Sequence, residues 1–132
     1  MLESQGGPST CTCDLLEGLY DIGETVDLLS SKPVGTAKNK EVVLGEGRPW
    51  MKLVECDYFT PLALSKNVDK FLQETVYELY HVNTLWLYAT HATCCYARKM
   101  GKPYVLSTHG MLYPTALKVN GWKKKLMGML WY

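Results

Sequence analysis

The sequence has no long apolar run: its uninterrupted apolar stretches, such as Leu85 to Ala89, fall far short of the roughly 20 residues that a membrane-spanning helix needs. Nor do Met1 to Pro8 show the basic start and apolar core of a secretory signal. Apolar residues make up 47% and charged residues 20% of the 132 positions, which excludes a disordered or collagen-like chain. We therefore expect one globular domain that stays in the cytoplasm.

Cysteines are few, and none has the C-x-x-C spacing of a zinc site. The five stand at positions 11, 13, 56, 94 and 95, and an odd set of this kind is not a disulfide framework. We expect reduced thiols and no bound metal, with Cys94 and Cys95 filling the core.

Charge is almost balanced overall but unevenly placed. The formal net charge of +1 gives no general case for nucleic-acid binding. However, Met1 to Ser31 contains six acidic residues and no basic one, whereas Arg98 to Tyr132 contains seven basic residues and no acidic one. The basic end is a candidate contact for an anionic surface.

Apolar periodicity predicts alternating strands and helices. Helices are expected over about 8–22, from Ser65, from about Leu85, from about Pro114 and from about Gly121, and strands over 25–29, 51–59, 79–83 and 103–107. The predicted buried stripes are Val68, Phe71, Leu72, Thr75 and Val76 in one helix and Leu85, Tyr88, Ala89, Ala92, Cys95 and Tyr96 in the next, and Gly23 and Gly101 are expected to terminate helices. Residues 31–48 are expected to form a surface loop in which Val42 to Leu44 could pair. The predicted architecture is α/β: a Rossmann-like, open parallel sheet with helices on both faces, in which the 103–107 strand is covered on both sides.

Both ends of the sequence suggest a piece of a longer protein. A Gly-Gly loop that opens a helix normally follows a central strand, but only five residues precede Gly6. At the other end an apolar helical stripe of Trp122, Leu126, Met129 and Leu130 continues to Tyr132 without a capping residue. We expect the first strand of the sheet to be missing.

Gly6-Gly7-Pro8-Ser9 places flexible backbone directly before a helix. The N–H groups and the positive dipole end of such a helix can hold a phosphate, and glycines allow the close approach. A simple turn explains the same four residues equally well.

His109 follows a predicted parallel strand, at the edge where open α/β sheets bind ligands. Its imidazole can donate to or accept from a sugar hydroxyl or a phosphate oxygen, and Gly110 lets the chain turn so that the ring points outward. The alternative is a histidine that caps the next helix. His81 reaches the same crevice unless it packs beneath a loop, and His91, inside a helix, is assigned no role.

The segment from Trp122 to Trp131 combines three consecutive lysines with apolar and aromatic residues. This pattern is typical of a helix lying on a membrane surface. A core stripe beside solvated lysines is the other interpretation, and we expect it to hold for the apolar residues.

Three segments together resemble family 4 glycosyltransferases: Gly6-Gly7-Pro8-Ser9, the strand and turn from Tyr104 to Leu112, and Trp122-Lys123-Lys124-Lys125. The most specific part, from Gly101 to Leu112, is similar to that family's G-x-P-Y-V-x-S-x-H-G-M-L segment. The resemblance spans nearly the whole chain.

The resemblance implies a GT-B enzyme, in which two Rossmann-like domains face a cleft and a hexose passes from a nucleotide sugar with retention of configuration. Residues 1–132 would be part of the N-terminal, acceptor-side domain, and the C-terminal Rossmann-like domain with the nucleotide pocket would be missing. Gly6 and Gly7 would bind the donor diphosphate, and His109, with Gly110 and Met111, would lie beside the transferred sugar. No metal and no cofactor beyond the nucleotide-sugar co-substrate is implied.

One departure concerns Asn83, which stands where the family often has the second histidine of H-x-H, so that role cannot be carried over. The resulting expectation is half of a hexosyltransferase for surface polysaccharide or glycolipid synthesis, inactive alone, acting on a glycan or lipid-linked acceptor at the inner face of an anionic membrane. The alternative is a non-catalytic Rossmann-type module that binds a phosphate ligand or a protein. A nicotinamide-dependent dehydrogenase is set aside because G-x-G-x-x-G is lacking.

Overall fold

A computed structural model describes residues 7–33, 47–56 and 65–131. Over these ranges the order is α1 (Gly7–Asp21), β1 (Leu28–Pro33), β2 (Met51–Cys56), α2 (Lys66–Glu74), β3 (Tyr80–Asn83), α3 (Tyr88–Lys99), β4 (Tyr104–Ser107), α4 (Pro114–Lys118) and α5 (Gly121–Trp131). Gly6 and the pairing expected at 42–44 lie outside the described residues. None of the helices within them is long and apolar enough to cross a bilayer.

Two helices end on glycines in the left-handed region, as predicted. Gly23 has φ +89° and Gly101 has φ +65°. After α3 the Lys102 N–H donates back to the Ala97 carbonyl at 2.9 Å, which closes the last turn in the manner of a Schellman motif. These glycines set where α1 and α3 stop and where the chain turns towards the following strand.

The strands form two parallel pairs. β1 pairs with β2, with Leu28 opposite Met51, and β3 pairs with β4, with Asn83 opposite Ser107. The mixed α/β class and the parallel pairing agree with the sequence, but the described strands form two separate two-stranded sheets and not the single open sheet that was expected.

The first strand begins later than the strand predicted over 25–29. β1 begins at Leu28 and continues to Pro33, into the stretch expected to be loop. Pairing starts at Leu28 because the partner strand β2 begins opposite it at Met51, and Pro49 ahead of β2 has no N–H to donate. Just before the strand, Asp27 accepts from Tyr77 Oη at 2.5 Å and lies 3.4 Å from Lys52 Nζ.

The core lies where α2 packs on α3 and β2, and where α3 packs on β3. Its buried cluster is Val68, Leu72, Tyr80, Ala92 and Ala97, with Leu29 of β1 and Val54 of β2 packed against it. The predicted stripes are confirmed at Val68, Leu72, Leu85 and Ala92, and Cys94 is buried as expected. Cys95 is only half-buried, and Val76, which was expected to be buried, is 50% exposed. Val76 is exposed because α2 ends at Glu74 and Thr75 is already extended.

The expectation that β4 is covered on both faces is also wrong. Tyr104 is 39% and Val105 48% exposed. Strand side chains alternate, so Val105 shares a face with its partner His81, and that face of the pair is open in the described part of the chain.

Polar contacts gather several element ends at one edge. The Tyr77–Asp27 bond joins the entrance of β3 to that of β1. Glu17, in the second half of α1, pairs with Arg48 at 2.6 Å and accepts from Trp50 Nε1 at 3.3 Å, just ahead of β2. The amino ends of these strands and the carboxyl half of α1 therefore lie on the same side of the fold.

Candidate functional site

Two histidines and their partners occupy the carboxyl edge of the β3–β4 pair. His109 Nε2 lies 2.9 Å from Asn83 Oδ1, and His81 Nε2 lies 2.8 Å from Ser107 Oγ. Because the strands are parallel, Asn83 and Ser107 meet at the same edge. Both imidazoles are exposed, so a ligand can reach them.

A tight turn after β4 fixes the position of His109. The Met111 N–H donates to the Thr108 carbonyl at 2.9 Å, and the two central residues, His109 and Gly110, have φ of +46° and +78°. Two successive positive φ values are typical of a type I′ turn. His109 is therefore a turn residue and does not cap α4, which begins only at Pro114.

Gly110 is required at the second turn position. A Cβ added there would lie 3.3 Å from the ring carbons of Tyr113, in addition to the strain of a positive φ. The Tyr113 N–H donates to the Gly110 carbonyl at 3.0 Å, which places the ring beside the turn. The glycine thus lets the chain reverse within two residues of the strand, as the sequence predicted.

The hydrogen bond to Asn83 determines the tautomer of His109. An amide oxygen only accepts, so Nε2 of His109 carries the proton, and Nδ1 of the neutral ring is an acceptor for a ligand hydroxyl. Asn83 therefore orients the catalytic candidate, a role that sequence reasoning missed. The available signal was its place at the end of the strand that neighbours β4.

Backbone strain is found at the same edge. Thr84, directly after β3, has φ +148°, an unusual value for a β-branched residue. Its hydroxyl is held 2.8 Å from that of buried Thr90. Such outliers cluster at functional sites, where the surrounding structure compensates for their cost.

The structure does not bring Gly7 into contact with the histidines. Gly7 is the first residue of α1, and a Cβ there would meet no atom within 4 Å. However, Glu17 lies at the amino edge of the strands, and Gly7 is about 15 Å away from it along the helix axis.

The cysteines and the histidine of α3 do not form a second reactive site. Cys95 Sγ lies 3.6 Å from His91 Nε2 on α3, too long for a strong contact. Cys94 is buried, and burial raises the pKa of its thiol, which makes it a poor nucleophile. No group of three His, Cys, Asp or Glu suited to a metal ion occurs among residues 7–33, 47–56 and 65–131.

Two cavities lie away from the histidines. One, of about 500 Å³, is lined by Tyr20, Asp27 and Trp50, among others, at the amino ends of β1 and β2. The other, of about 280 Å³, lies between β2 and α2. Neither cavity is lined by His81 or His109, and both of these residues are exposed.

No protein-family model, curated protein or solved structure matches this chain. A function must therefore be inferred from the chemistry of its own residues.

Proposed function

We propose that this chain is the acceptor-side half of a retaining glycosyltransferase, which transfers a hexose from a nucleotide sugar to a glycan or lipid-linked acceptor during synthesis of a surface polysaccharide or glycolipid. The observation that carries the proposal is the His109–Gly110 turn, held at the carboxyl edge of a parallel strand pair by Asn83. That edge is where α/β sheets bind ligands.

The proposal includes a single Rossmann-like sheet. β1 and β3 begin at the same edge, where Tyr77 bonds to Asp27, yet no hydrogen-bond ladder joins them among the described strands. One more parallel strand between them, about 4.8 Å from each, would give the order β2-β1-new-β3-β4. This is the doubly wound arrangement, in which the central strand leads into the glycine loop and the first helix.

In the proposed complex, Gly6 and Gly7 bind the donor diphosphate at the N-terminus of α1. The backbone N–H groups and the dipole stabilise the negative charge that develops as the nucleoside diphosphate leaves, so no metal ion is needed for that purpose. His109 contacts hydroxyls of the transferred hexose through Nδ1, and the backbone of Gly110 and Met111 lies beside it. The nucleotide itself is held by a second Rossmann-like domain, without which no turnover is expected.

A non-catalytic phosphate-binding module is the second candidate. The specific observation in its favour is that His81 and His109 are exposed and line neither of the two cavities described above. Such a module would bind a nucleotide sugar but would not cleave it, whether or not a second domain is present.

Binding is tested first on this chain. Titration with a panel of nucleotide sugars and with inorganic phosphate, followed by amide NMR, is expected to shift Gly7 and Gly110 together with one of the nucleotide sugars. Shifts at only one of the two positions would contradict a shared donor site.

Turnover is tested on a longer form that carries the second domain, by release of nucleoside diphosphate. His109→Ala is expected to lower kcat by about 100-fold or more, a typical effect for a group that acts in the transition state. His91→Gln, a histidine on α3 outside the site, is the matched control. Unchanged turnover in His109→Ala would remove His109 from the mechanism, and binding without any release would favour the module.

A further inference from the structure

The apolar stripe of α5 points away from the protein. Trp122 is 70%, Leu126 47% and Met129 75% exposed. Their spacing of four and three residues puts them on one face of the helix. The expectation that these apolar residues belong to the core is therefore wrong.

The opposite face of α5 holds the helix to the rest of the chain. Lys124 Nζ donates to the Ala116 carbonyl at 2.6 Å and lies 6.0 Å from the centre of the Trp86 ring. Met127 and Gly128, on the same side, are half-buried. Because α5 is docked through this side, its exposed stripe is a fixed surface of the fold.

Lysines flank the exposed stripe on both sides. Lys123 and Lys125 are exposed, and Lys123 Nζ lies 5.6 Å from the centre of the Trp122 ring. Lys118, at the end of α4, is also exposed, as is the neighbouring Val119 at 63%. With no acidic residue from Arg98 onwards, the surface is apolar in the middle and positive at its rim.

We propose that this surface, the α5 face of Trp122, Lys123, Lys125, Leu126 and Met129, binds a bilayer that contains anionic lipid. The three apolar side chains enter the boundary between headgroups and acyl chains, and the two lysines contact the anionic headgroups, as in interfacial amphipathic helices. A nucleic acid would satisfy the lysines but leave the apolar stripe in water. The binding requires no nucleotide sugar and so does not depend on the proposed enzymatic function.

The test is co-sedimentation of the chain with vesicles of phosphatidylcholine alone or with about 30% phosphatidylglycerol. Binding is expected to the anionic vesicles, with weakening at about 0.5 M salt and a blue shift of tryptophan emission that Trp122→Phe removes.

Two double variants separate the charged and the apolar contributions to binding. Lys123→Gln/Lys125→Gln removes the contacts with the anionic headgroups and is expected to weaken binding by about 10-fold or more. Leu126→Ser/Met129→Ser removes the apolar side chains that enter the bilayer and is expected to abolish binding. Far-UV circular dichroism verifies that each variant is folded.

The matched control is Lys66→Gln/Lys70→Gln, which removes two exposed charges from α2. Equal losses in the control and in Lys123→Gln/Lys125→Gln would overturn the proposal, because they would show a general effect of net charge. Equal binding to both vesicle types would also overturn the proposal. A chain that forms dimers through Leu126 and Met129 and does not bind vesicles would overturn it as well.

Discussion

At the scale of single residues, the candidate site depends on backbone conformations that few side chains tolerate. His109 and Gly110 both have positive φ, and histidine is among the non-glycine residues enriched in that region. The imidazole reaches Asn83 only because the chain reverses at these two positions. The backbone conformation of the turn therefore determines where the His109 imidazole lies.

Gly110→Ala is expected to destabilise the fold by roughly 1–2 kcal/mol, because alanine is strained at this φ and its Cβ meets the Tyr113 ring. Gly18→Ala, in the middle of α1 with open space around it, is expected to stabilise by about 1 kcal/mol. Chemical denaturation measures both. If Gly110→Ala were as stable as Gly18→Ala, the turn would not require a glycine at position 110.

At the scale of elements, tyrosine–carboxylate bonds join helices and strands across the core. Tyr88 of α3 donates to Asp69 of α2 at 2.6 Å. This bond, with a smaller effect of burial, raises the pKa of Tyr88 to about 12. Burial, followed by the bond to Asp27, raises the pKa of Tyr77 well above its usual range. Both hydroxyls are therefore held protonated.

A raised tyrosine pKa makes stability depend on pH on the alkaline side. The contribution of Tyr88 is fully present below its unfolded pKa of 10.0 and is lost as the pH rises towards about 12. Tyr88→Phe is expected to lose about 1 kcal/mol at neutral pH, and its stability is expected to fall less steeply than that of the parent chain between these values. Unfolding free energies measured across this range test the difference.

The matched control for that experiment is Tyr113→Phe, since Tyr113 is 69% exposed. It is expected to follow the parent curve at every pH. Parallel curves for Tyr88→Phe and the parent chain would contradict the assignment of the alkaline loss to the bond between α2 and α3.

Local patterns in the sequence predicted the positions of helices and strands well. They predicted the contacts between those elements less well. Glycines 23 and 101 mark helix ends because a left-handed residue is a local requirement. The outward orientation of Leu126 was missed because a periodic stripe does not reveal whether a partner covers it. The bond between His109 and Asn83 joins residues 26 positions apart, so it depends on strand pairing, which periodicity does not encode.

At the scale of the whole molecule, the two strand pairs leave inner edges without a described partner. Leu28 donates its N–H to the Trp50 carbonyl beside β2, and Tyr80 donates to the Pro103 carbonyl beside β4. Bonding directions alternate along a strand, so the N–H groups of Leu29 and His81 point away from these partners. In the proposed sheet they face the gap that one more strand would fill.

An apolar strand of about six residues fused through a short linker ahead of Met1 is expected to slow amide exchange at Leu29 and His81 by about 10-fold or more, because it pairs with both edges. The control fusion carries two prolines in the added strand, which remove its donors. Slowed exchange confined to β2 or β4 would contradict the proposed strand order.

Lys124 links two regions that the sequence separates. Its ammonium group is bonded to α4 and lies over Trp86, in the loop that follows β3 and begins next to Asn83. The Lys124 side chain therefore connects α5 both to α4 and to the loop beside the candidate site. Replacing Lys124 with methionine would remove both the bond to the Ala116 carbonyl and the positive charge over the indole, and so would loosen α5 from α4 and from the loop after β3 at once.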